Sequence, residues 1–143
     1  MTTARDAFDN FRKYVLGEDH GQFWAPDVVI ETPFAAGGPR RHEGRDNFLA
    51  VTKTSRESFP VRFEEMRNVV VHETTEPNRI IVEYELVGTL LTTGKRESAL
   101  FIAVMEIRDG LISLWREYQN TFAIAQALGQ VPGLDTDFAA ARP

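Results

Sequence analysis

The sequence predicts a single α+β domain, with a few helices packed on one face of a long, strongly twisted, mostly antiparallel sheet. Two patterns carry this expectation. Apolar residues at helical spacing occur before residue 60 and again after residue 120, while the stretch between them is continuously β-rich. The chain has 143 residues, and no repeat, linker or low-complexity segment divides it. At that length a core can bury roughly two-thirds of the unfolded surface, so no covalent staple is needed.

Each element has a local reason. From Ala4 to Leu16, residues Ala4, Ala7, Phe8, Phe11, Tyr14 and Val15 fall three and four apart, one apolar stripe on a helix that Gly17 ends. A short second helix is expected around Phe23 and Trp24, closed by Pro26. Val28 to Thr32 reads as a strand stopped by Pro33, and Phe34 to Pro39 as a loop. The basic cluster Arg40-Arg41-His42 with Arg45 reads as more solvated loop. Gly44-Arg45-Asp46 opens a helix, with Asp46 a candidate cap. Phe48, Leu49, Thr52 and Ser55 follow at helical spacing until Phe59-Pro60 breaks it.

Strands are expected at about 61–72, 79–91, 96–108 and 111–119. Thr92 to Lys95 forms one hairpin turn. Asp109-Gly110 forms a tighter one, since both central residues of a type I′ turn need positive φ. Thr121 to Leu128 makes a last helix stopped by Gly129. The domain core is thus about 4–129, followed by a weakly ordered tail over 130–143. A long sheet coiled around helices leaves a hollow between the two layers, the usual place for a small-molecule site.

Composition excludes several functions. Cysteine is absent, which removes disulfides, thiolate catalysis and cysteine zinc sites. A net charge of −5 disfavours nucleic acid as a partner. No apolar run reaches the ~18 residues of a membrane span, and the N-terminus lacks the layout of a signal peptide. A cytoplasmic location without membrane contact is the resulting expectation. His20, His42 and His72 lack metal-ligand spacing, no Ser-His-acid grouping appears, and no glycine-rich phosphate loop is present. No metal or cofactor is expected.

Several motifs carry a resemblance. Trp24-Ala25-Pro26-Asp27-Val28-Val29-Ile30-Glu31 is similar to the "LFAxDxxxE" entry into the first strand of the nuclear transport factor 2-like superfamily. Glu73-Thr74-Thr75-Glu76-Pro77-Asn78 with Val82-Glu83 is close to an "ETxDPNxxxVE" stretch. Asp109-Gly110-Leu111-Ile112 with Trp115-Arg116-Glu117-Tyr118-Gln119-Asn120 resembles the "DGxI…RDYxNP" or "GLI…REFMNP" ending of SnoaL-like and ketosteroid-isomerase-related proteins, the second form being that of phenazine-biosynthesis A/B proteins. The resemblance spans roughly residues 8 to 130. It implies the cystatin-like, cone-shaped α+β barrel of that superfamily and a homodimer. The superfamily hosts isomerases, cyclases, hydrolases and non-catalytic binders, so function must come from the site.

The resemblance also shows departures. Where ketosteroid isomerases carry their proton-shuttling Asp, this chain has Thr32, and where their second acid falls it has Ala103. Steroid isomerisation by that pair is therefore not expected. Val51 stands where the phenazine proteins carry a pocket histidine. Glu117 matches the acid/base carboxylate of SnoaL-like cyclases and the acidic member of the phenazine proteins' "RE" pair.

Strand alternation puts Leu111, Ser113, Trp115 and Glu117 on one face of the last strand, and Ile112, Leu114, Arg116 and Tyr118 on the other. Glu117 is the expected catalytic residue. A carboxyl beside Trp115 in an apolar cavity titrates above its ordinary range and can exchange a proton near neutrality. The competing reading pairs it with a surface arginine. Glu31 has the same two readings, with an arginine partner favoured, and Glu83, Glu85 and Glu106 read as outward-facing. Candidate substrate-binding residues are Tyr14, Trp24, Phe34, Val51, Ser55, Phe101, Ala103 and Trp115, with Phe48 a further aromatic wall. His42 and Arg41 are candidates for the cavity mouth.

The expected function is a cofactor-free isomerase, cyclase or condensation catalyst acting on a small apolar metabolite in secondary metabolism. Its alternative is a non-catalytic binding or dimerisation module. Hydrolysis is weaker, because Arg116 and Glu117 are adjacent and point to opposite faces. Ile112, Leu114 and Tyr118 on the outer face would stay wet in a monomer, which again predicts a homodimer.

Overall fold

The computed structural model describes residues 2–18 and 22–129, with the side chains of 55–58 excepted. The expected tail over 130–143 and His20 lie outside the described residues. The elements run α1 (Ala4–Val15), β1 (Trp24–Thr32), β2 (Arg40–Glu43), α2 (Arg45–Ser58), β3 (Val61–Glu73), β4 (Arg79–Leu90), β5 (Arg96–Arg108), β6 (Leu111–Gln119) and α3 (Thr121–Ala127). The sheet order is β2-β1-β6-β5-β4-β3, with β1 parallel to β6 and every other pair antiparallel. This is the α+β arrangement that the sequence predicts.

Helix α1 starts at a reciprocal cap. The Thr3 hydroxyl accepts from the Asp6 backbone N–H at 3.1 Å, and the Asp6 carboxylate accepts from the Thr3 N–H at 2.9 Å. Its apolar stripe then lies in the hollow of the sheet. Ala7 and Phe8 are buried there, and the Phe11 ring sits 4.0 Å from the Trp115 ring, centroid to centroid. Opposite stand Val82 and Tyr84 of β4, Ala103 and Met105 of β5, and Ile112 and Trp115 of β6. Ala7 and Ala103 are both fully buried, and their small side chains let the helix approach closely.

Bulges curve the sheet. β3 shifts register between Phe63 and Glu65 and again between Arg67 and Val70, where Asn68 takes φ 56°. Asn68 tolerates that conformation and donates from its amide to Glu85 at 3.0 Å. The β5–β6 hairpin closes through Asp109 and Gly110, at φ 55° and 78°, the positive pair that the turn requires.

Three expectations are corrected. Phe23 and Trp24 do not form a helix, because Trp24-Ala25-Pro26 already belongs to β1. Pro26 is tolerated since β1 pairs irregularly with β6 between Trp24 and Val29 and meets β2 only from Val29 onward, so no ladder N–H is missed. Arg40 to Glu43 is not loop but a short edge strand, whose exposed Arg40 and Arg41 suit an edge that must not pair further. Asp46 lies inside the first turn of α2, where it pairs with Arg45 at 3.3 Å.

Ile112 also changes sides. Glu106 pairs with Leu114 while Ile107 pairs with Ile112, so Ser113 is an extra residue. Its hydroxyl donates to the Glu106 carbonyl at 3.1 Å. That bulge breaks strict alternation, placing Ser113 beside Leu114 and turning Ile112, fully buried, toward the core with Trp115.

Gly88 in β4 tests the packing between strands. A Cβ there would stand 2.7 Å from Val61 Cγ1 and 3.0 Å from the Arg62 carbonyl oxygen. We expect Gly88→Ala to lower stability by about 1–3 kcal/mol, read as a fall in the urea unfolding midpoint without loss of cooperativity.

Candidate active site

Helix α1 fills part of the concave face and leaves the rest hollow. A cavity of about 460 Å³ lies between β3–β6 and the three helices, within the range of small-molecule sites. Its walls are mainly aromatic: Phe11 and Tyr14 of α1, Phe48 of α2, Phe63 of β3, Tyr84 of β4 and Phe101 of β5, with Phe59 before β3. Ile124, Ala127 and Leu128 close it from the C-terminal side. Helix α3, which supplies Ile124 and Ala127, contains no buried residue and is fixed at its start by the Asn120 side chain, which accepts from the Ala123 N–H at 3.1 Å. Polar atoms come from Thr52, Glu97, Ser98, Gln119 and Glu117 as well as the two tyrosines.

Glu117 reaches the cavity because β6 alternates regularly after the Ser113 bulge, turning Trp115, Glu117 and Gln119 inward. Its cross-strand partner is Ala103, which contributes only a methyl group. Tyr84, two strands away on β4, donates a short hydrogen bond from its hydroxyl to Oε2 of Glu117. The Tyr84 ring is held by stacking on Phe101, with centroids 5.2 Å apart and planes 8° from parallel.

Burial raises the Glu117 pKa from its ordinary value; the hydrogen bond from Tyr84, and then the Trp115 side chain, partly oppose it. Glu117 is only partly buried by surface area, but it lines the cavity and so opens onto it rather than onto an outer face. The Tyr84 phenol is pushed well above its ordinary value, first by burial and then by the Glu117 charge and their hydrogen bond. No lysine, arginine or histidine lines the cavity among the described residues. Glu97 is paired with Lys95 at 3.0 Å.

The remaining candidates divide. Tyr14, Phe48 and Phe101 line the cavity with Glu117. Trp24, Ala103 and Trp115 do not, because they are buried in the core beneath it. Trp24 packs edge-on against Phe48 and Trp115, and Trp115 packs behind Phe11. Phe34 is 59% exposed and packs against Tyr118, away from the hollow. Val51 is 45% exposed on the outer side of α2. The Ser55 side chain lies outside the described atoms. His42 packs against Phe48, and Arg41 pairs with Glu43; neither lines the cavity. Glu31 turns outward to Arg116 at 3.4 Å, so neither residue joins Glu117. Glu83, Glu85 and Glu106 pair with His72, Arg67 and Arg79, each at 2.6 Å.

Tyr84 is the residue that sequence reasoning missed. The signal was present. Outward Glu83 and Glu85 bracket it, so the same alternation that sends them to solvent points Tyr84 inward.

This curved sheet over a carboxyl-bearing apolar hollow defines a cone-shaped α+β domain. Residues 4–115 match the SnoaL-like domain family, and the chain belongs to it. Glu117 stands just beyond that match. The chain is 33% identical over 107 residues to an uncharacterised PhzA/B-like protein of Pseudomonas aeruginosa, covering 74% of each chain. It is 30% identical over 126 residues to the phenazine biosynthesis protein PhzB of Pseudomonas fluorescens, covering 85% of this chain and 72% of that one. A provisionally named isomerase of Bacillus subtilis superposes with a TM-score of 0.78 at 27% identity, over 89% of this chain and 93% of that one. Among the described residues no helix is long and apolar enough to cross a membrane.

The raised Glu117 pKa has a sign that can be checked. The folded state holds this proton more tightly than the unfolded state, so the contribution to stability is full below the ordinary glutamate value. It is lost as pH rises through the folded value. Glu117→Gln has no such loss. The melting temperature of Glu117→Gln should therefore gain on the parent as pH rises above the ordinary glutamate value. A difference independent of pH would contradict the assignment.

Proposed function

We propose that this protein is a cofactor-independent isomerase, cyclase or condensation catalyst for a small, mostly apolar metabolite bearing a carbonyl or imine, with Glu117 as general acid/base. One observation carries the reading: a carboxyl whose proton is held by burial stands inside an apolar cavity of about 460 Å³. A carboxyl that titrates closer to neutrality can give a proton to a carbonyl oxygen or imine nitrogen and take one from carbon, where a solvated glutamate is simply ionised. The walls orient the substrate and exclude water, which lowers the barrier without further catalytic groups. The names of the phenazine-biosynthesis and isomerase relatives support this class of chemistry. Secondary metabolism is the setting it suits.

A second reading is a non-catalytic ligand-binding module of the same fold. It is favoured by the residues found where the resembling families carry catalytic groups, namely Thr32, Val51 and Ala103, of which Ala103 is core and Val51 exposed. Mass spectrometry of the ligand retained by the native protein supplies a starting compound. With it, Glu117→Gln is expected to cut turnover by about 10²–10⁴-fold while ligand affinity changes little. Unchanged turnover rejects Glu117 as the acid/base.

We also propose a homodimer through the convex face. Leu100 and Ile102 of β5 are 59% and 44% exposed, Ile102 lies opposite Tyr118 of β6, and Phe34 packs against Tyr118, while Leu114 lies farther along β6 opposite Glu106. Ile112, now in the core, does not contribute. A contiguous apolar patch of this kind favours self-association. Sedimentation at micromolar concentration should show a dimer for the parent chain and a monomer for Ile102→Glu. A monomeric parent chain would remove this part of the proposal.

A further inference from the structure

We infer that Tyr84 is a positioning residue for the Glu117 reaction: its phenol fixes Oε2 as a permanent acceptor and leaves Oε1 as the oxygen that exchanges the proton with substrate. The inference rests on the acid/base reading of Glu117. Its observation is geometric. Tyr84 has one proton, and its hydroxyl is directed at Oε2 of Glu117. The ring has little freedom to turn away, since Phe101 stacks on it and Phe8 packs at 5.9 Å. The rest of the residue is buried.

Two consequences follow from one hydrogen bond. When Glu117 is neutral, Oε2 is the carbonyl-type oxygen already occupied by the phenol, so the carboxyl proton resides on Oε1. From there it passes to a substrate carbonyl oxygen or imine nitrogen. The carboxylate left behind keeps the Tyr84 hydrogen bond, which is stronger to an anion than to a neutral oxygen. The same Oε1 then accepts a proton from carbon, which restores the starting state with the proton count unchanged. Tyr84 never gives up its own proton, consistent with the direction of its pKa shift.

No charged group competes for this control among the described residues that line the cavity. Tyr14 of α1, Tyr84 of β4, Glu97 of β5 and Glu117 itself are the titratable ones. β3, α2 and α3 contribute none. Glu97 is bound to Lys95 and lies six positions along β5 from Ala103, roughly 20 Å at the rise of an extended strand. The phenol is thus the larger of the two hydrogen-bond influences that oppose burial at Glu117, with the Trp115 side chain second.

The test reads both partners directly in the whole protein, without a substrate. Tyrosine labelled with ¹³C at Cζ and glutamate labelled at Cδ are titrated by NMR. In the parent chain one tyrosine Cζ signal should shift at the same midpoint as the glutamate with the highest midpoint. That shift should vanish in Glu117→Gln. In Tyr84→Phe, which keeps the ring and its stacking, the Glu117 midpoint should move up by about 1–2 pH units, as the anion loses a charge-assisted hydrogen bond. The pH profile of kcat should move with it.

A Glu117 midpoint that stays or falls in Tyr84→Phe overturns the inference. So does a tyrosine spectrum blind to the Glu117 titration, a result that needs no folded variant. Coupled titration together with normal turnover in Glu117→Gln would reject the acid/base reading and leave the pair a structural contact.

Discussion

Four consecutive antiparallel strands of 13, 12, 13 and 9 residues are too long to stay flat, and the bulges at Phe63–Glu65, Arg67–Val70 and Ser113 decide where they bend. Everything else follows from that curvature. It makes a concave face deeper than one helix can fill, so α1 buries Ala7, Phe8 and Phe11 over the middle strands and the remainder stays hollow. The Ser113 bulge sets the phase of β6 as well. Without that extra residue, burying Ile112 would send Trp115 and Glu117 outward.

Curvature also separates residues that are chemically identical. Glu31, Glu83, Glu85 and Glu106 lie on strands, as Glu117 does, and each has a basic partner on the outer surface. Among these five, Glu117 is the one whose partner is a phenol rather than a basic side chain, and desolvation is the largest influence on its proton. The difference between a solvated ion-pair member and a group able to trade protons lies in which side of the sheet it occupies.

Much of this was legible in the sequence. The boundaries of β3 to β6 follow from alternation and two turn signals, which are local properties of the chain. Glu117 was reached by the same alternation, whose error at Ser113 did not propagate past Trp115. The misreadings arose where tertiary context decides. Phe23-Trp24 carries no periodicity of its own, and β2 forms only because β1 offers an edge. Trp24 and Trp115 look like cavity walls by composition, but their large rings are better buried beneath Phe11 and Phe48 than left facing a hollow. Tyr84 was overlooked for a different reason: its role depends on a partner two strands away, and no local pattern reports that distance.

Helix α3 gives the hollow one more meaning. It is a seven-residue segment with no buried side chain, hydrogen-bonded at its start and packed on β5. Ile124 and Ala127 line the hollow, as Phe11 and Tyr14 of α1 and Phe48 of α2 do. A guest bound in the hollow would add contacts to this helix, so binding and stability would be linked. By mass action, a ligand at a hundred times its dissociation constant contributes about 2.7 kcal/mol to the folded state.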